Sequence, residues 1–112
     1  MWEITTMSFV DINKINAREA FPAFKGKFIH ATGFTIAHWE IKAGSSALIQ
    51  TQIHDQTVDV IKGNLEMTID GEVIVLEPGQ GAIIPSMVPH GAKALTDCFV
   101  IDTFCPVRED YK

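Results

Sequence analysis

Little in this chain of 112 residues invites a membrane, a nucleic acid or a disulfide framework. It has no long apolar run, so no transmembrane helix is expected. Basic residues are outnumbered, 9 against 14 acidic, and the net charge of -5 gives no support for binding nucleic acid or an acidic membrane surface. Cysteine is scarce. Cys98 and Cys105 fall in or beside one strand-like run, 97–104, and seven residues along a strand span roughly 23 Å, beyond disulfide reach. Reduced thiols suit a reducing compartment, and both cysteines read as packing residues because no base stands beside them in sequence. Residues 1–10 lack a charged segment followed by an apolar one, so no signal peptide is expected and a cytoplasmic location follows. Repeats, linkers and low-complexity segments are absent as well, and the length suits one domain with one core.

What is present is a succession of short strand patterns. Residues 9–20 can carry a short helical turn. Strands are expected over 27–31, 34–42, 48–53, 56–61, 65–69, 72–76, 82–84, 92–95 and 98–104. Asp70-Gly71 between two of them is a two-residue hairpin signal, and His54-Asp55 is expected to be a turn. Many short strands with turns this frequent indicate an all-β sandwich or barrel.

Alternation along a strand says which side chains share a face. Thr35, Ala37, Trp39 and Ile41 share one. Gln50 and Gln52 point the same way as Leu48, and Gln56 goes with Val58 and Val60. Cys98, Val100, Asp102 and Phe104 form another set. If the valines point inward, Gln56 and Asp102 do too. His30 and His38 each read as structural histidines on early strands, and Trp39 as core or dimer interface.

Two spacings carry more. Gly44, Gln50, Gln52, Gln56 and Gly63 fall on the frame G-x5-H-x-H-x3-E-x6-G, with glutamine at each ligand position. Gly79, Pro85 and His90 fall on G-x5-P-x-G-x2-H, with Met87 where the second glycine is usual. The chain therefore resembles a single-domain cupin. The resemblance implies a double-stranded β-helix, or jelly-roll barrel, over 1–112, with the first motif at 44–63, the second at 79–90 and a C-terminal strand and tail at 97–112. It also brings His90 into one cavity with the glutamines, and it implies a homodimer by analogy.

In that family a divalent metal sits on the positions held here by Gln50, Gln52, Gln56 and His90. Three neutral amides and one imidazole carry no charge, and an amide oxygen is a weak donor to a transition metal. A divalent metal is thus one expectation and a metal-free pocket the other, with Asp102 a further carboxylate if it reaches the centre. A buried amide without hydrogen bonds costs roughly 2–7 kcal/mol. The polar set must therefore line a wet or ligand-filled pocket, or bond to itself. His54 is expected at the rim, with pocket acid/base or substitute ligand as alternatives.

The chain end narrows the resemblance. Ile101-Asp102-Thr103-Phe104-Cys105-Pro106-Val107-Arg108-Glu109-Asp110-Tyr111 is similar to the tail D-x-F-x-P-x-R-E-D plus an aromatic of the pectin-degradation cupins, which act on unsaturated monouronates. The likeness covers roughly 26–112, and Ala94 is a further departure, standing where asparagine is usual. It implies catalytic roles for Asp102, Phe104 and Arg108. Chemistry permits them. Arg108 offers a planar fork for a carboxylate, Phe104 a flat wall for a sugar ring, and Asp102 and His90 are candidate proton carriers. Each has a plainer alternative: an ion pair of Arg108 with Glu109 or Asp110, Phe104 as core, and Asp102 as a buried acid bonded to a glutamine.

Two functions follow. One is an isomerase-like or lyase-like cupin acting on a small carboxylated sugar or keto acid, with His54, Gln50 and Gln52 orienting the substrate. The other is a non-catalytic ligand-binding cupin that has lost the metal site. An iron dioxygenase is disfavoured because two histidines it requires are glutamine here.

Overall fold

A computed structural model describes residues 9–112. Residues 1–8, which hold most of the segment tested above for a signal peptide, lie outside that range. Ten strands follow a short 3₁₀ turn at Ile12–Lys14: β1 (Arg18–Phe21), β2 (Phe24–His30), β3 (Thr35–Ile41), β4 (Ser46–Gln50), β5 (Asp55–Lys62), β6 (Leu65–Ile69), β7 (Glu72–Leu76), β8 (Gly81–Ile84), β9 (His90–Ala94) and β10 (Cys98–Cys105). A second 3₁₀ turn, Glu109–Tyr111, ends the chain. Among the described residues no helix is long and apolar enough to cross a membrane.

The strands form two antiparallel sheets, six strands in the order β1-β2-β3-β10-β5-β8 and four in the order β4-β9-β6-β7. This is the expected jelly roll. β3 and β10 lie at the centre of the larger sheet, and their alternation is nearly complete. Thr35, Ala37, Trp39 and Ile41 are buried on β3, as are Cys98, Val100, Asp102 and Phe104 on β10. The β10–β5 register sets Val100 opposite Val60 and Asp102 opposite Val58. Gln56 is buried one step along the same face of β5. The inference from the valines therefore holds: Gln56 and Asp102 face the interior.

Several boundaries differ from the sequence expectation. β1 was not expected, and β2 begins at Phe24 rather than at residue 27. β4 stops at Gln50 instead of running to residue 53, and a register shift interrupts its pairing with β9 between Ala47 and Gln50. Asp55 belongs to β5 rather than to a turn. The Asp70-Gly71 hairpin forms as expected, with Ile69 paired to Glu72 and positive φ at both turn residues. Both cysteines are free, but only Cys98 packs inside. Cys105 has the opposite parity on β10 and is exposed, which corrects the expectation that both are packing residues.

One turn is sterically fixed. Gly63, between β5 and β6, has φ +84°, and a Cβ there would lie 2.1 Å from the Asp97 carbonyl oxygen. Gly63→Ala combines left-handed backbone strain with a backbone clash. It should cost on the order of 2–4 kcal/mol, read as a lower denaturant midpoint at unchanged slope.

Candidate functional site

The interior between the sheets is not wholly apolar. A small cavity of about 60 Å³, room for a few waters, is lined by Gln50, Gln52, Gln56, His90, Asp102 and Arg108 among apolar neighbours. Gln56 and Asp102 come from neighbouring strands of the six-stranded sheet, while Gln50 and His90 pair across β4 and β9. Gln52 arrives on the irregular segment after β4, where its carbonyl accepts the Met87 N–H at 2.8 Å. Arg108 comes from the tail. Its backbone N–H donates to Thr35 Oγ1 at 2.9 Å, and Thr35 in turn bonds His30 Nδ1 at 2.9 Å. His30 Nε2 donates to the Tyr111 carbonyl at 3.1 Å, so the structural role expected for His30 is to pin the tail over the barrel.

The polar groups bond one another in a directed order. His90 Nδ1 lies 3.0 Å from the Val88 carbonyl oxygen, an acceptor only, so this nitrogen carries the proton and Nε2 offers its lone pair. Gln52 Nε2 donates both hydrogens, one to His90 Nε2 and one to Gln56 Oε1, each at 3.2 Å. Gln56 Nε2 passes the sequence on to Asp102 Oδ2 at 3.2 Å, and Trp39 Nε1 donates to the same oxygen at 3.1 Å. Gln52 Oε1 accepts from Arg108 Nη1. Gln50 lines the cavity from its exposed side, apart from this set.

This arrangement bears on a metal. The Gln52 amide hydrogens occupy the His90 Nε2 lone pair and one of the two lone pairs of Gln56 Oε1 that a metal would need. A guanidinium stands on the far side of that amide. Among the described residues no three His, Cys, Asp or Glu side chains converge. The side chains as placed suit a hydrogen-bonded set better than a cation.

Asp102 is the member that burial affects most. Burial pushes its pKa up to about 7, against the hydrogen bonds from Trp39 and Gln56 and the nearby Arg108 charge, which pull it down. Both donors engage Oδ2, and Oδ1 is buried without a hydrogen-bond partner among the described residues. In the acid form the proton therefore sits on Oδ1, and in the carboxylate form Oδ1 is the free acceptor.

Arg108 is half of a second cluster. Its guanidinium lies 4.6 Å from the Phe104 ring centre and 4.1 Å from that of Tyr111. Nε and Nη2 grip the two Asp110 carboxylate oxygens at 2.8 and 2.6 Å. Phe104 is core, being only 2% exposed, and its ring carries the guanidinium. His54 stands outside the cavity lining. Its Nε2 reaches the Val107 carbonyl oxygen at 3.4 Å, and its ring is edge-on to Phe104.

Trp39 and Tyr111 were missed as site residues. For Trp39 the only signal was its inward parity on β3. Its partner lies 63 residues away, and only the β3–β10 register brings the two together.

The cupin domain family matches residues 37–104, more than half of the chain. The chain belongs to the cupin family. Among curated proteins, this cupin is 38% identical over 60 residues to the pectin degradation protein KdgF of Dickeya dadantii. That match spans about half of each protein, 53% of this chain and 54% of the relative. Among solved structures, KdgF from a Halomonas species superposes with a TM-score of 0.89 at 28% identity, covering 95% of this cupin and 99% of that chain. An RmlC-like cupin from Shewanella frigidimarina gives the same TM-score at 24% identity, with 95% and 96% covered, a likeness of fold.

Proposed function

We propose that this cupin is an acid/base isomerase of a small, sugar-derived carboxylic acid, of the unsaturated-uronate kind, acting through Asp102 and Arg108. The observation that carries the reading is the Asp102 carboxyl, with one oxygen held by two donors and the other free, poised to ionise near neutrality. A group of that pKa can both take and return a proton at physiological pH. Likeness to the two KdgF proteins supports the substrate class.

In the proposed reaction Asp102 Oδ1 removes the proton of the anomeric hydroxyl. The ring C–O bond breaks, a carbonyl forms at the anomeric carbon, and the released oxygen becomes an enolate. Asp102 then returns its proton to the carbon of the former double bond, leaving the open keto acid, so atoms and charge balance. Arg108 holds the substrate carboxylate, and Phe104 supports the ring. His90, with both nitrogens already bonded, orients Gln52 rather than moving a proton. We read the metal site as degenerate, its place taken by the Gln52 amide. Residues 1–112 form one cupin domain in this reading, working as a homodimer.

The rival reading is a non-catalytic binder, and the small cavity with its self-bonded glutamines favours it. Incubation with an unsaturated monouronate separates the two. The enzyme reading expects loss of the conjugated double-bond absorbance with appearance of a keto acid. Absorbance that stays at the rate of the protein-free control rejects it.

A further inference from the structure

The Arg108 side chain is ready for a carboxylate and already holds one. Its side-on edge, Nε with Nη2, is the edge that binds carboxylates with two parallel bonds, and Asp110 occupies it at 2.8 and 2.6 Å. The ring faces of Phe104 and Tyr111 and the Gln52 oxygen take up the remaining approaches. Three of the five guanidinium N–H groups are thus engaged, and an incoming acid finds the side-on edge already filled.

The two partners are unequal. The Arg108 side chain is 8% exposed, whereas that of Asp110 is 60% exposed. Arg108 is held by stacking on two rings and by its backbone bond to Thr35. Asp110 sits in a one-turn 3₁₀ segment on the wet side and needs only a side-chain rotation to leave. The exchange conserves charge, one carboxylate for another, so the buried guanidinium never stands alone, which would be the costly state. A neutral sugar has no group that can repeat this exchange.

We infer that Asp110 is an internal carboxylate that occupies the ligand edge of Arg108, so that this cupin admits only acids able to displace it. The inference rests on the reading of Arg108 as the carboxylate-holding residue. Two features make Asp110 an effective competitor. It lies two residues from Arg108, so it rebinds at once when a ligand leaves. Hydrogen bonds from Arg108, ahead of the opposing effect of partial burial, keep its carboxyl below the ordinary aspartate range, so it stays charged wherever a ligand carboxylate is charged.

The test is calorimetric titration of the folded protein with D-galacturonate, a saturated acid that cannot undergo the isomerisation, and with D-galactose as its neutral counterpart. Wild type, Asp110→Asn, Asp110→Ala and Arg108→Ala are compared, each with its melting temperature recorded. Removing the competing charge should tighten galacturonate binding about five- to tenfold in both Asp110 variants and leave galactose unbound. Weaker or unchanged galacturonate binding in the Asp110 variants, still abolished by Arg108→Ala, would overturn the competitor and make Asp110 a positioning residue. Galacturonate that binds none of the proteins, or binds equally well without Arg108, removes the carboxylate reading itself and the inference with it. If one Asp110 variant fails to fold, the other carries the comparison.

Discussion

Asp102→Asn should abolish turnover and at the same time make the protein more stable at alkaline pH. The catalytic loss is expected at about 10²- to 10⁴-fold in kcat, the usual contribution of a positioned acid/base. The stability gain follows from the sign of the pKa shift. Burial raises the Asp102 pKa to about 7 from an ordinary value near 4. The folded state therefore binds this proton more tightly than the unfolded chain. That stability is fully present below pH ~4, erodes by roughly 1.4 kcal/mol per pH unit, and is gone above pH ~7. Asparagine mimics the neutral acid. Its oxygen can accept from Trp39 and Gln56, and its amide takes the place of Oδ1, which lacks a partner already. The variant should be about 2–4 kcal/mol more stable than wild type at pH 8 and indistinguishable near pH 4, read by denaturant titration at both values. An equal effect at the two pH values would show that folding does not raise the Asp102 pKa. In wild type the same ionisation predicts an acidic limb near pH 7 in kcat/KM, because the first step needs the carboxylate.

The residues behind that prediction were only partly legible in the sequence. The inward placement of Gln56 and Asp102 followed from alternation with Val58, Val60 and Val100, because central strands of a sheet keep their parity. The same rule set Gln50 and Gln52 on one face with Leu48, and all three line the cavity. It gave no sign that the strand ends at Gln50 after a register shift, so that Gln52 reaches the cavity from an irregular segment held by Met87 and Gln50 lines it from an exposed position. The Trp39 bond to Asp102 depends on a strand pairing between residues 63 positions apart, and a single sequence carries no signal of that pairing. Near neighbours fared better. The ion pair of Arg108 with Asp110, and the bond of Asp102 to a glutamine, were both foreseen as plain alternatives to function. Both exist. The bond to Gln56 leaves Oδ1 without a partner, and in the proposed reading the ion pair is exchanged for a substrate carboxylate.

Arg108→Ala should raise KM for a uronate by about 10- to 100-fold, the value of a charge-assisted hydrogen-bonded pair, with a smaller change in kcat. It should also destabilise the fold by about 2–4 kcal/mol. The guanidinium packs against Phe104 and Tyr111, and without it Gln52 Oε1 loses its donor. Stability loss alone would not show a role in recognition, so Arg108→Lys is the informative partner. The Arg108 charge is one of the influences that lower the Asp102 pKa. Arg108→Ala should accordingly move the acidic limb of kcat/KM to higher pH, and lysine, which keeps the charge, should largely restore it. Lysine lacks the planar fork and stacks poorly, so it should not restore KM. A split in which charge recovers the pH limb and only the fork recovers affinity would assign the two effects to the two properties of one side chain. Lysine recovering both would reduce Arg108 to a point charge. Lysine recovering neither would mean that the guanidinium acts by packing Phe104 and Tyr111 into place, and that the substrate carboxylate is held elsewhere.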